Sequence, residues 1–296
     1  MANNQAYLFA GQAAQFVGMG KQLNAEYQEV FDKANDLLGF DLRKVMLEGP
    51  EEALKQTINT QPAVFLHSYL VWSKYHADHP VPSALAGHSL GELTALVVGG
   101  VISFEDGLSL VKSRAEAMQA ACEQNPSTMA AILGMDDEAV EKICGDISEV
   151  VVPANYNCPG QLVISGSKEG IEKAIAACQE QGARRALEIS VGGAFHSPLM
   201  EPAVEPFASA VEAISFSDAK IPIYQNVTAQ AVTNGDEIKR NIIDQVTSPV
   251  RWTQTIQNMI GAGIEQFVEI GGKGRILQGM VRKVSRDVNT EVWKEV

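Results

Sequence analysis

The sequence is poor in the residues that build metal and disulfide sites. It has four cysteines, Cys122, Cys144, Cys158 and Cys178, separated by 22, 14 and 20 positions. With no C-x-x-C pair, neither a zinc cluster nor a disulfide framework is implied, and a reduced intracellular compartment is the simple reading. There are five histidines and neither an H-E-x-x-H run nor an EF-hand loop, so no metal or other cofactor is expected. The P-loop pattern is absent. Gly271-Gly272-Lys273-Gly274 lacks the spacing of a dinucleotide fingerprint and reads as a turn. Basic charge is also short, 23 Lys and Arg against 36 Asp and Glu, a net charge of −13. That disfavours nucleic acid and anionic membrane as partners, because phosphate binding needs a basic surface. Long apolar runs are missing: Ala95 to Ile102 falls far below the ~18 residues of a membrane span. Met1 to Gln5 holds no basic n-region, so no secretory signal is read and a cytoplasmic protein is expected.

What remains is an ordinary globular mix, 46% apolar and 20% charged over 296 residues, enough for one large domain or two smaller ones. The N-terminus reads as a strand over 6–9, then amphipathic segments over 20–38 and 50–57. A longer helix is predicted to start at Pro62. A short buried strand, 82–86, precedes a helix-forming apolar run, and Ser103 caps the next helix. From 127 to 191 the pattern becomes βαββαβ, with Asn157 to Gly160 as a turn, which is the ferredoxin-like order. Residues 127–191 are therefore expected to form a small inserted domain. Residues 1–126 and 192–296 are expected to form a larger α/β domain with a mostly parallel sheet. Helices are expected over 199–213, 236–246 and 249–261, then a strand over 266–270 and a C-terminal helix.

The sharpest local signal is Gly87-His88-Ser89-Leu90-Gly91, which matches the G-x-S-x-G nucleophile elbow. A strand-to-helix turn this tight leaves no room for side chains beside the serine, and glycines remove the clash. The serine oxygen then sits at a helix N-terminus, which favours developing negative charge. The competing explanation is a plain glycine turn with a surface serine. A serine nucleophile needs a base, and in α/β-hydrolase-like chains the base follows it. Of the five histidines only His196 does. His67 falls among apolar helical residues, while His76 and His79 read as surface residues. No acid between Ser89 and His196 stands out as its orienter, so a carbonyl or amide is left to hold the imidazole. Arg114 lies at the edge of the apolar stripe Leu108, Val111, Ala115 and Met118. It fits an internal ion pair, a snorkelling stem, or a bidentate clamp for a substrate carboxylate.

These motifs occur in the order Gly11-Gln12-Ala13-Ala14-Gln15, Gly87 to Glu92, Arg114, Gly193-Ala194-Phe195-His196-Ser197, and Asp244-Gln245 through Ser248 to Trp252. So arranged, the chain resembles the malonyl-CoA:acyl carrier protein transacylases of bacterial fatty acid synthesis over nearly its whole length. The resemblance implies an α/β-hydrolase-like domain with a ferredoxin-like insertion. It implies transfer of malonyl from coenzyme A to a phosphopantetheine thiol through a serine ester. By motif, Ser89 is the nucleophile, His196 the base and Arg114 the partner of the malonyl carboxylate. Gln12 and Leu90 supply the oxyanion N–H groups, and the side chain or backbone of Gln245 supports the histidine. Phe195 is expected to narrow the acyl pocket. The first motif departs from the family's usual form: Ala10 stands for a proline and Ala13 for the second glycine. If that glycine has positive φ, Ala13 is strained.

An acidic carrier protein needs a basic surface. Residues 271–296 carry a net charge of +3 against −16 for the rest. Arg282 and Lys283, with Arg184 and Arg185, are the candidate docking residues, a solvated helix face being the plainer explanation. A monomer is expected. A serine thioesterase or esterase, a polyketide-pathway acyltransferase and a catalytically dead binding module are the competing functions.

Overall fold

The computed structural model describes residues 4–295; Met1 to Asn3, part of the start read for a leader, lie outside them, as does Val296. Among the described residues the strands are β1 (Gln5–Phe9), β2 (Ala84–Gly87), β3 (Ser127–Leu133), β4 (Val151–Cys158), β5 (Gln161–Ser167), β6 (Arg185–Ile189), β7 (Ile223–Tyr224), β8 (Ala231–Val232), β9 (Gln266–Ile270) and β10 (Asn289–Trp293). β1 and β2 are buried at every residue, as expected of strands covered on both faces. They lie at the centre of a six-stranded sheet ordered β10-β9-β1-β2-β7-β8. All its pairings are parallel except the last, β7 with β8. Strands β3 to β6 form a separate antiparallel sheet ordered β4-β5-β3-β6.

Each sheet has its own core. Ala130, Ile132, Tyr156, Leu162 and Ile164 point from one face of the small sheet onto Val140, Ile143 and Ile171 of its two helices. Met129 and Val163, one residue out of phase, belong to the main core. The period-2 alternation of these strands thus sends alternate residues to two different places. The small sheet shows its helix-free face to the large one, and a cavity lies between them.

Several expected boundaries move. The segment 20–38 is helical only over Gln28–Leu38, after positive φ at Gly18 and Gly20. The segment 50–57 is split: Glu51–Leu54 is helical, Gln56 is extended, and Thr57 opens the next helix. That helix runs Thr57–Tyr75, five residues earlier than expected, with Pro62 inside it. Ser103 caps Phe104–Gln124 by accepting from the Asp106 N–H at 3.0 Å. β4 continues to Cys158, so Asn157 lies on a strand instead of in a turn. The helices expected over 199–213 and 236–246 are Glu201–Glu212 and Gly235–Asp244. The helix expected over 249–261 begins only at Trp252, because Val250 bridges to Asn155. The two-residue strands β7 and β8 were not expected. The C-terminal helix stops at Val284 and gives way to β10 at the sheet edge.

Among the described residues no helix is long and apolar enough to cross a membrane. All four cysteines are free and buried.

Candidate active site

β2 ends at Gly87, and the next helix, Gly91–Val98, starts four residues later. Ser89 sits between them at φ +51. A Cβ on Gly87 would lie 1.9 Å from the carbonyl carbon of Gly91, and one on Gly91 would lie 2.1 Å from the Phe9 oxygen. Both glycines are therefore required by backbone contact, and the turn they allow lifts Ser89 out of the sheet.

Ser89 Oγ donates to His196 Nε2 at 2.7 Å. His196 Nδ1 lies 2.9 Å from the backbone carbonyl of Gln245, to which it donates. That contact fixes the tautomer with Nε2 as acceptor. His196 is 3% exposed. Burial, aided by the field of Arg114, pulls its pKa down to about 3, so the ring is neutral and ready to accept a proton.

Arg114, on the helix Phe104–Gln124, is 2% exposed. Its Nη1 donates to Gln61 Oε1 at 2.9 Å, and its Nη2 donates to Gln245 Oε1 at 2.9 Å and Ser89 Oγ at 3.1 Å. All three partners are neutral, and among the described residues no carboxylate lies within ion-pair distance. Burial lowers its pKa to about 10, with the field of Glu92 opposing; the guanidinium stays charged at neutral pH. The internal ion pair that the sequence allowed is absent. A buried cation held only by neutral groups is a costly arrangement that an incoming anion would relieve.

The cavity encloses about 210 Å³ and is lined by Ser89, His196 and Arg114 together with Gln12, Leu90 and Phe195. The backbone N–H groups of Gln12 and Leu90 have no protein acceptor among the described residues. Leu90 is at the N-terminus of the helix that follows the elbow. Free donors at a helix start beside a nucleophile can hold an oxyanion. Ala13, on the same loop, has φ +82, so the left-handed conformation survives with an alanine in it. Three of the five non-glycine residues with positive φ among the described residues, Ala13, Ser89 and His196, line this cavity.

Four further residues support the site, Asn226, Glu92 and Gln225 at the elbow and Gln61 at Arg114, and sequence reasoning gave none of them a role. Asn226 Oδ1 accepts from the Ser89 N–H at 2.7 Å, and Asn226 Nδ2 donates to the Gly87 carbonyl at 2.7 Å. Glu92 accepts from the Asn226 N–H at 2.7 Å and from Gln225 Nε2 at 3.1 Å. Burial pushes the Glu92 carboxyl up to about 7, against the pull of these hydrogen bonds. Gln61 was passed over because the helix was expected to begin one residue after it. The one available signal was Glu92, an acid opening an apolar helix directly after the elbow. His67 is fully buried and accepts from the Gly272 N–H, and His76 is exposed. His88 turns away from Ser89 to meet Asn157 Oδ1 at 2.9 Å.

Comparison with known proteins identifies the family. Residues 6–293 match the acyl transferase domain family. A malonyl CoA-acyl carrier protein transacylase from Bacillus subtilis (strain 168) is 42% identical over 291 residues, 96% of this chain and 92% of the relative. The crystal structure of an acyl carrier protein S-malonyltransferase from Vibrio cholerae is 38% identical with a TM-score of 0.94, covering 99% of this chain and 98% of that one. A malonyl-transacylase solved in complex with a type II polyketide-synthase acyl carrier protein is 36% identical, with a TM-score of 0.94 over 99% of this chain and 96% of its own. With a match from residue 6 to residue 293 and a relative alike over 92% of its own length, the chain belongs to the acyl transferase family.

Proposed function

We propose that this protein transfers the malonyl group from malonyl-CoA to the phosphopantetheine thiol of an acyl carrier protein, supplying malonyl carrier for fatty acid synthesis. One observation carries the reading: a buried guanidinium with only neutral partners stands 3.1 Å from the serine oxygen that faces a neutral imidazole. A site so built offers a nucleophile and, beside it, a seat for an acyl group that ends in a carboxylate. The names of the relatives agree with that substrate.

The chemistry runs in two steps. His196 Nε2 takes the Ser89 proton as Oγ attacks the thioester carbonyl. The oxyanion is held by the Gln12 and Leu90 N–H groups. The tetrahedral adduct collapses, the C–S bond breaks, and the thiolate leaves with the proton that His196 returns. The carrier's thiol then gives its proton to His196 and attacks the serine ester, and Ser89 is reprotonated as it leaves. Arg114 binds the malonyl carboxylate, and acetyl is disfavoured because it leaves that cation unpaired. Phe195 narrows the acyl pocket. No cofactor takes part.

The architecture is read as an α/β-hydrolase-like domain, 1–126 and 192–296, carrying a ferredoxin-like domain, 127–191. The strand order β4-β5-β3-β6 and the separate small core support it. The carrier is proposed to dock on Arg282, Lys283, Arg184 and Arg185. Lys283 Nζ reaches Gln161 Oε1 at 3.3 Å. Gln161 pairs with Leu133, which pairs in turn with Arg185. Gln161 and Arg185 are two strand spacings, about 10 Å, apart, so both basic clusters border one end of the small sheet. The helix Ile276–Val284 that carries Arg282 and Lys283 also lines the cavity through Ile276, Leu277 and Met280. The protein is read as a cytoplasmic monomer. The polyketide-carrier complex of a relative makes a polyketide acyltransferase the second reading, with the same chemistry and a different carrier.

The test is intact-protein mass after brief mixing with malonyl-CoA, and separately acetyl-CoA, for wild type and Ser89→Ala. A malonyl adduct on wild type alone, with little from acetyl-CoA, is the expected result. Steady CoA release with no adduct would make the protein a thioesterase.

A further inference from the structure

The loop 11–15, which offers the Gln12 N–H to the cavity, is held mostly by itself. Its Ala14 N–H donates to the Gly11 carbonyl at 3.3 Å, and its Ala13 N–H donates to Gln15 Oε1 at 2.8 Å. Among the described residues one hydrogen bond ties it to the rest of the chain, from the Lys273 N–H to the Ala14 carbonyl at 3.1 Å. Yet the loop keeps Ala13 at φ +82, and such strain persists only where the surroundings over-determine it. An oxyanion donor also works by being fixed before the reaction starts. What fixes Lys273 therefore fixes the loop.

Lys273 belongs to Gly271-Gly272-Lys273-Gly274, the turn that follows β9. The turn is wedged in place. A Cβ on Gly271 would lie 2.6 Å from Ser68 Oγ, and one on Gly272 would lie 2.7 Å from the Ala14 Cβ. Ser68 is on the helix Thr57–Tyr75, so the turn is a shim between that helix and the loop. His67, on the same helix and 0% exposed, grips the shim: its Nδ1 accepts from the Gly272 N–H at 3.0 Å. Its Nε2 lies 3.7 Å from Glu295 Oε1, which favours the ring proton on Nε2 and leaves Nδ1 as the acceptor. The ring also meets Phe16, the residue just past the loop, edge to face, with centroids 5.8 Å apart and planes at 85°. His67 thus reaches the loop from two sides while lying outside the cavity lining. Its helix neighbours Val64, Phe65, Leu66 and Leu70 are buried apolar residues. Packing alone would be served there by a leucine, and a buried imidazole is favourable only where its polar atoms are used.

We propose that His67 is a positioning residue for the oxyanion donor. By accepting from Gly272 it fixes the turn whose next residue, Lys273, holds the Ala14 carbonyl, and so it aims the Gln12 N–H two residues before Ala14. The proposal rests on the thioester-transfer reading above and names what that reading leaves open: what keeps a strained, sparsely bonded loop in place. His67 touches neither Ser89, His196 nor Arg114, so it acts on the stabilisation of the tetrahedral adduct and leaves substrate affinity alone. Both half-reactions pass through such an adduct at the same serine, so both depend on it equally.

The experiment compares wild type with His67→Leu, His67→Gln and His67→Asn, each checked for folding by urea denaturation. Leucine fills the space and has no acceptor. Glutamine stays polar but places its amide where Nε2 stands. Asparagine places its amide oxygen where Nδ1 stands and keeps the bond to Gly272. Two steps are read: malonyl-serine formation over a range of malonyl-CoA concentrations, and transfer of malonyl from the serine to the small thiol N-acetylcysteamine. For His67→Leu the saturating rate should fall about tenfold, less than the hundredfold or more that losing an oxyanion donor outright costs, with half-saturation within about twofold of wild type. The transfer step should fall by the same factor. His67→Gln should match His67→Leu, and it decides the matter if the leucine variant does not fold. His67→Asn should stay within about threefold of wild type, because the acceptor is restored. An unchanged saturating rate in the leucine and glutamine variants, a loss confined to half-saturation, or an asparagine variant no better than leucine would each overturn the proposal. Wild type that forms no malonyl-serine would overturn the transferase reading as well, which separates the two failures.

Discussion

Gln245 meets both His196 and Arg114, but with different parts of itself. Its backbone carbonyl lies 2.9 Å from His196 Nδ1, and its side-chain oxygen accepts from Arg114 Nη2 at 2.9 Å. Its Nε2 donates to the Ser89 carbonyl at 3.2 Å. One residue thus sets the tautomer of the imidazole through an atom no mutation removes, and aims the guanidinium through atoms a mutation can remove.

Gln245→Ala separates these duties. The histidine support stays, so the acid limb of the pH–rate profile should keep its shape. Arg114 loses a charge-assisted hydrogen bond of about 1.5–3 kcal/mol, and kcat/KM for malonyl-CoA should fall roughly tenfold to a hundredfold. A shifted acid limb would show that the side chain also acts on the imidazole.

Arg114→Ala should depress malonyl transfer far more than acetyl transfer, by comparison of kcat/KM for the two CoA esters. Arg114→Lys keeps the charge and loses the planar fork that now reaches Gln61, Gln245 and Ser89 together, so it should recover only part of the loss. Equal losses for malonyl and acetyl would sink the clamp.

Burial holds the His196 pKa at about 3, well below the ordinary 6.5. Its neutral, proton-accepting form therefore persists as pH falls, and kcat/KM should stay flat through pH 6, where an unperturbed histidine base would already be lost. The same depression acts on stability. Below about 6.5 the unfolded chain binds a proton that the folded chain refuses, so stability falls as pH drops from there toward 3. His196→Asn should flatten that decline, read as urea midpoints over this pH range. An unchanged slope would mean that other groups govern acid sensitivity.

The site was legible where chemistry forces residue type onto a tight spacing. Gly87 and Gly91 flank Ser89 because their backbones touch neighbours, and that leaves a pattern any reader of the sequence can find. His196 followed from elimination. Arg114 was visible as a charge on an apolar stripe, but its partners were not, because Gln61, Gln245 and Ser89 come together only in the tertiary fold. Asn226 and Gln225 carry no local pattern at all; they are polar residues whose meaning lies in what the sheet brings beside them. The fold divides the same way. Parallel strands β1, β2 and β9 are apolar runs between helices and stood out, whereas β10 and the two-residue strands β7 and β8 are too short to show a period. The end of β4 was hidden because Pro159-Gly160 made its last residues look like part of a turn.

Ala13 provides a stability test of the glycine loop. An alanine at φ +82 carries left-handed strain of about 1–2 kcal/mol. Ala13→Gly relieves it, against an unfolded-state entropy cost of roughly 0.5–1 kcal/mol. The net effect should be a gain of about 0.5–1 kcal/mol, read from the urea midpoint at constant slope. A loss would show that the Ala13 methyl makes contacts worth more than the strain.

The proposed docking surface can be separated from the chemistry, because on that reading only the carrier half-reaction uses it. Arg282 and Lys283 are exposed at the last turn of the helix whose Ile276, Leu277 and Met280 line the cavity. Arg282 Nε donates to Thr290 Oγ1 and Lys283 Nζ to Gln161 Oε1, contacts at the surface end of the helix. Reversing both charges should raise KM for the acidic carrier protein several-fold, and added salt should shrink the difference from wild type by screening the attraction. Formation of malonyl-serine from malonyl-CoA should be unchanged, because that step needs only the cavity. If both half-reactions weaken together, the substitutions act through the helix and its cavity-lining face, and carrier docking lies elsewhere.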